Sequence, residues 1–136
     1  MKKVVIIDGQ GGKIGSVIIE KLRAKSTNHK IYAVGTNSIA TAAMLKAGAD
    51  FGATGENPVV VNSKNADVIV GPLGIVVADS LLGEITAKMS VAIGKSNAKK
   101  ILLPTNRCNN IVVGTVQMPF SEIIELTVQQ IIEACE

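Results

Sequence analysis

Short runs of aliphatic residues alternate along the chain with stretches whose apolar positions recur every three or four residues. Residues 3–7 are a compact apolar run that predicts a strand. Over residues 13–25, Ile14, Val17, Ile18, Lys21 and Leu22 share one face and predict a helix. A second strand is expected at 31–34. A helix at 40–47 should follow, capped by Ser38 and stopped by Gly48. Residues 49–58, with two glycines, Asn57 and Pro58, predict a loop in which 50–53 is extended. The β-branched runs 59–61 and 67–70 both predict buried strands, with a turn at 62–65. Helices are expected at 75–82 and at 87–96, the second capped by Thr86. Strands follow at 100–103 and 111–113. A last helix, capped by Ser121, carries a stripe of Ile124, Val128, Ile131 and Cys135, widened by Ile123 and Ile132.

Strand–helix alternation with apolar runs implies a mostly parallel sheet, because parallel strands are buried on both faces and need crossover helices. A chain of 136 residues fits one domain. The expected architecture is therefore α/β, a single Rossmann-like three-layer domain over residues 1–136. Composition sharpens this. Hydrophobic residues make up 47% of the chain, yet only Tyr32, Phe51 and Phe120 are aromatic. Val, Ile and Ala suit a buried sheet, whereas base-stacking platforms and aromatic cages lack their rings.

Charge adds an asymmetry. Up to Arg107 there are fourteen basic and seven acidic residues; beyond it there are four glutamates and no base. That pattern fits an acidic terminal helix beside a basic body, or an acidic tail for a partner. A net charge of +3 gives no electrostatic basis for a nucleic-acid partner. No apolar stretch approaches a membrane span, and the opening run is too short for a signal peptide, so no membrane association is expected. Cys108 and Cys135 form neither a metal pattern nor a disulfide framework, which points to the cytoplasm. No metal site is expected.

Candidate chemistry begins at Asp8-Gly9-Gln10-Gly11-Gly12-Lys13-Ile14-Gly15, between the first strand and the first helix. Glycines here permit a tight reversal, close approach of backbone to phosphate, and tight helix–strand packing. The helix start offers free N–H groups to an anion, and Lys13 adds a charge. The spelling resembles the first strand–helix turn of dihydrodipicolinate reductases over about twenty residues. Two features depart from a dinucleotide site. The second strand ends in Gly35-Thr36-Asn37-Ser38, without the acid that would hold a ribose. Asp8 also stands beside the phosphate seat, where like charge repels.

Polar or glycine clusters follow four of the strands. Ligands of open α/β sheets bind outside the strand carboxyl ends, so these clusters form one candidate rim. For a nucleotide or cofactor the rim offers Asp8, Gly9, Gln10, Gly11, Gly12, Lys13, Gly15, Thr36 and Asn37. For the remainder of a ligand it offers Thr54, Glu56, Asn57, Gly71, Gly74, Thr105, Asn106, Arg107 and Asn109. Amides and hydroxyls dominate, which suits hydrogen bonding more than proton transfer. Arg107 matches a carboxylate or phosphate, or pairs with the acidic helix. Cys108 is a nucleophile if Arg107 stabilises its thiolate; without a partnering base it is a small buried residue. Asp79 stands on an apolar helix as a local hydrogen-bonding group or, less simply, as an acid–base residue. His29 is the single histidine and precedes the second strand, the wrong end for the site. No catalytic group is assigned, so enzyme and binding protein both stay open.

Several strings resemble, over nearly the whole chain, a bacterial family known only as a domain of unknown function. They are Ile7-Asp8-Gly9-Gln10-Gly11-Gly12, Val34-Gly35-Thr36-Asn37-Ser38-Ile39-Ala40-Thr41, residues 48–57, residues 67–83 and Asn106-Arg107-Cys108-Asn109-Asn110. The resemblance implies a stand-alone bacterial protein and no particular activity. The expected function is binding of a small anionic molecule at the strand carboxyl ends: NAD(P) or another nucleotide, or a different phosphorylated or carboxylated metabolite. The alternative is a non-catalytic regulatory or interaction module, a homo-oligomer associating through Ile124, Val128 and Ile131.

Overall fold

The computed structural model describes residues 1–26, 28–105 and 109–136. Five strands, β1 (Lys3–Asp8), β2 (Lys30–Gly35), β3 (Phe51–Thr54), β4 (Val68–Pro72) and β5 (Lys99–Leu103), form one sheet in the order β3-β2-β1-β4-β5. Every pairing is parallel. The helices are α1 (Lys13–Lys25), α2 (Ser38–Lys46), α3 (Glu56–Ser63), α4 (Ala87–Lys95) and α5 (Phe120–Ala134). Strand order reverses beside β1, between β1 and β4, the switch point at which sheets of this kind form a ligand crevice outside the strand carboxyl ends.

Alternation along the strands divides the core into two layers. Val4, Ile6, Ile31, Ala33, Val68 and Val70 face α1, α2 and α5, meeting Ile18, Leu22, Met44, Ile124, Val128 and Ile131. Val5, Ile7, Val34 and Ile69 face the opposite layer, meeting Val59 of α3, Ile75, and Met89 and Ile93 of α4. The expected three-layer α/β architecture is the one observed. Among the described residues, no helix is long and apolar enough to cross a membrane.

Several local expectations are corrected. Residues 59–61 lie inside α3, not in a strand. Only Val59 is fully buried while Val61 is half exposed, as the run winds round the helix. Pro58 is tolerated there because the first helical turn needs no N–H donor. The extended piece expected within the 49–58 loop is the edge strand β3. The helix expected at 75–82 is a single 3-10 turn, Leu73–Val76, followed by a strap of tight turns. Asp79, Leu81 and Leu82 adopt left-handed φ values of 66°, 55° and 56°, which end any helix. Asp79 is thus an exposed turn residue, not a helical one. Residues 111–113 form no strand; Ile111 and Val113 are 88% and 93% exposed. Asn37, not Ser38, caps α2, accepting from the Ala40 amide at 2.9 Å. Thr86 caps α4 as expected, at 3.1 Å from the Met89 amide. Pro119, not Ser121, precedes α5, which starts without a side-chain cap. The stripe Ile124, Val128 and Ile131 is buried against the sheet, so it is core and not a free association face.

Candidate functional site

The glycine turn is built around a buried carboxylate. Asp8 ends β1 and its two oxygens accept from the amides of Gly9 at 2.8 Å and Gly15 at 2.7 Å. Gly15 is the third residue of α1, so the protein itself supplies an anion to the helix N-terminus. Burial raises the Asp8 carboxyl above its ordinary value; the amides of Gly15, Gly9 and Ile14 oppose this, and the Glu84 charge adds to it. The amides of Gly11 and Lys13 have no acceptor among the described residues. They remain open at the start of α1, where Gly11 and Lys13 are exposed.

Two of the glycines are required by close approaches. Gly12 has φ +71°, and a Cβ there would lie 2.8 Å from the Ala40 Cα of α2. At Gly9 a Cβ would lie 2.6 Å from Thr36 Oγ1 and 2.8 Å from Glu84 Oε1. The backbone is therefore shaved for Glu84, a residue that sequence reasoning missed. Glu84 Oε1 accepts from Thr36 Oγ1 at 2.5 Å, the Gln10 amide at 2.9 Å and Asn37 Nδ2 at 2.9 Å. Burial alone would raise its carboxyl, but the bonds from Thr36, Gln10 and Asn37 outweigh this and hold it below the ordinary value. Asn37 Nδ2 also donates to the Gln10 carbonyl at 2.9 Å, tying the end of β2 to the glycine turn.

The family model for a domain of unknown function (DUF3842) matches residues 3–136. The chain belongs to this family. Among curated proteins nothing matches it. A solved structure similar to this DUF3842 chain is a dodecameric FMN-dependent Ubix-like decarboxylase from Escherichia coli O157:H7. It aligns at a TM-score of 0.50 and 16% identity, covering 98% of this chain and 93% of that one, which is a likeness of fold.

The other rim residues of the DUF3842 chain divide by role. Thr54 Oγ1 bonds Thr41 Oγ1 at 2.7 Å beneath α2, and Glu56 accepts from Thr86 Oγ1 at 2.7 Å, joining α3 to the strap. Asn57 is exposed. Gly71 is buried where a Cβ would meet the Ile7 carbonyl at 2.5 Å, and the Gly74 carbonyl accepts from Ser80 Oγ. Thr105 Oγ1, after β5, is buried without a partner among the described residues. Asn109 is exposed with φ 69°. Asn106, Arg107 and Cys108 lie outside the described residues. The structure thus brings Asp8, Gly9, Gln10, Thr36 and Asn37 together around Glu84. Thr54 and Glu56 are engaged in packing the neighbouring helices.

Proposed function

We propose that the protein binds a nucleotide, or another phosphorylated or carboxylated metabolite, in the crevice at the carboxyl ends of β1, β2 and β4. The observation that carries this reading is the pair of unfilled amides, Gly11 and Lys13, at the start of α1 where the strand order reverses. Such amides, with the helix dipole and the Lys13 ammonium beside them, favour an anionic oxygen. Asp8 fills the inner part of the turn, so the ligand anion sits on the outer amides. A Cβ at Gly11 would meet nothing within 4 Å, which leaves room for it.

A thermal-shift series with FMN, NAD, NADP, AMP and sugar phosphates tests the reading. FMN comes first because the structural neighbour depends on it. A true ligand at a hundredfold excess over its Kd should stabilise the protein by about 2.7 kcal/mol. Gly11→Asp places a carboxylate in open space at the seat and should abolish the shift while the fold survives. If no probe shifts the transition, or Gly11→Asp leaves a shift intact, the seat is wrong.

Self-association is a second reading with a surface of its own. Ile111, Val113 and Val116 are 88%, 93% and 74% exposed, and Phe120 is partly exposed close by in sequence. Apolar residues clustered this way mark interaction surfaces more than isolated ones do. Val113→Asp with Val116→Asp should lower the sedimentation mass of an oligomer. A wild-type monomer at every concentration would remove this reading.

A further inference from the structure

A dinucleotide-type site needs an acid at the end of its second strand, and β2 ends in Gly35-Thr36-Asn37 without one. The fold brings one there from across the crevice. Glu84 lies 48 positions beyond Thr36, on the strap between the 3-10 turn and α4, yet its carboxylate bonds Thr36, Asn37 and the glycine turn. The strap is shaped to deliver it. Buried Leu81 and Ile85 anchor the two sides, the Asp79 amide donates to the Ile85 carbonyl at 2.7 Å, and Ser80 Oγ donates to the Gly74 carbonyl. Left-handed Leu81, Leu82 and Gly83 then turn the chain just before Glu84.

The two oxygens of this carboxylate are used differently. Oε1 takes all three donors, while Oε2 has no partner among the described residues. Thr36 and Asn37 are thereby occupied in orienting Glu84 and are not free donors for a ligand phosphate. An ionised carboxylate only accepts hydrogen bonds, so this end of the crevice recognises hydroxyls. Asp8, buried behind the same turn, adds a second negative charge that disfavours another phosphate here. Gln10, bonded to Glu84, adjoins Gly11, whose amide is open, so one small ligand reaches both.

We propose that Glu84 is the hydroxyl-recognising acid of a ribose-bearing phosphorylated ligand, its free Oε2 accepting from the sugar diol while the 5′-phosphate lies on the Gly11 and Lys13 amides. This rests on the reading of the site given above and narrows it. Thr36 and Asn37 are positioning residues, and a phosphate on the diol is rejected.

The test is calorimetric titration of wild type, Glu84→Gln and Gly11→Asp with AMP, 2′-deoxy-AMP and adenosine 2′,5′-bisphosphate. Wild type should prefer AMP over 2′-deoxy-AMP by about tenfold or more, the worth of a hydrogen bond to a charged acceptor. The bisphosphate should bind it most weakly. Glu84→Gln should bring AMP and its deoxy analogue close together and improve the bisphosphate relative to both. These are ratios within one variant, so altered stability does not produce them. Equal binding of AMP and 2′-deoxy-AMP to wild type, or a ratio unchanged by Glu84→Gln, overturns the role of Glu84. If AMP binding is lost in Gly11→Asp at the same time, the phosphate seat still stands. Uniform tightening of all three by Glu84→Gln also overturns it, since Glu84 would then be an internal competitor. No binding of any probe at millimolar concentration overturns the assignment of Glu84 to a ribose, and the phosphate seat is then decided by the thermal-shift series with FMN and sugar phosphates.

Discussion

Replacing Gly12 by Ala tests whether the glycine turn is held by packing or merely tolerates small residues. Gly12 has φ 71° and ψ 17°, a left-handed conformation that costs an L side chain about 1–2 kcal/mol. Its new Cβ would stand 2.8 Å from the Ala40 Cα, 2.9 Å from the Ala40 carbonyl oxygen and 3.2 Å from its carbon. All three are backbone atoms, so no rotamer relieves the contact. The Asn37 cap holds the Ala40 amide at 2.9 Å, so α2 must shift as a unit. Overpacking of this kind costs about 1–3 kcal/mol. Loss of freedom in the unfolded chain returns about 0.4–1 kcal/mol. The net expectation is about 2–4 kcal/mol of destabilisation. Urea unfolding should show a lower midpoint at unchanged slope. Gly11→Ala, one residue earlier with nothing within 4 Å of its Cβ, should stay within about 0.5 kcal/mol of wild type. Equal effects at the two positions, or a silent Gly12→Ala, would refute the packing account.

Leu82 is 96% exposed at φ 56°, so Leu82→Asn should stabilise the protein by about 1 kcal/mol, because Asn tolerates the left-handed region; a lower urea midpoint would contradict this. The Asp8 carboxyl is raised above its ordinary value of 3.8, mainly by burial. As pH rises from that value, the unfolded carboxyl ionises before the folded one, so Asp8 withdraws stability until pH passes the raised folded value. Asp8→Asn should therefore gain on wild type across that window, from a baseline lowered by one lost amide bond, and parallel stability–pH curves would refute the raised pKa. Val128 is 1% exposed in the core, so Val128→Asp should unfold the chain by circular dichroism. A folded variant of altered oligomeric mass would instead make that stripe an interface.

What the sequence revealed follows how each segment meets the core. β1, β2 and β4 were legible because runs such as Val4-Val5-Ile6-Ile7 are buried on both faces, as central parallel strands require, whereas the edge strand β5 was legible from a short aliphatic run ended by Pro104. The same rule misread residues 59–61, where the three valines wind round a helix that Pro58 does not interrupt and only Val59 is fully buried. It failed again at 75–82. There, Ile75 and Leu81 are buried from a turn and a strap, whose spacing follows no regular period. At the site, the glycine turn was readable from its local spelling, and so was the awkward charge on Asp8. The structure resolves that awkwardness: Asp8 is itself the anion on the inner amides. Glu84 was not readable, because adjacency along the chain gives no sign that residue 84 meets residues 10, 36 and 37. The one available signal was indirect. A glycine turn followed by a second strand lacking its acid leaves a gap, and a gap at a crevice can be filled from the strand across it. The loop after β4 is the segment the topology places there, and Glu84 is the acid on that loop that reaches the turn.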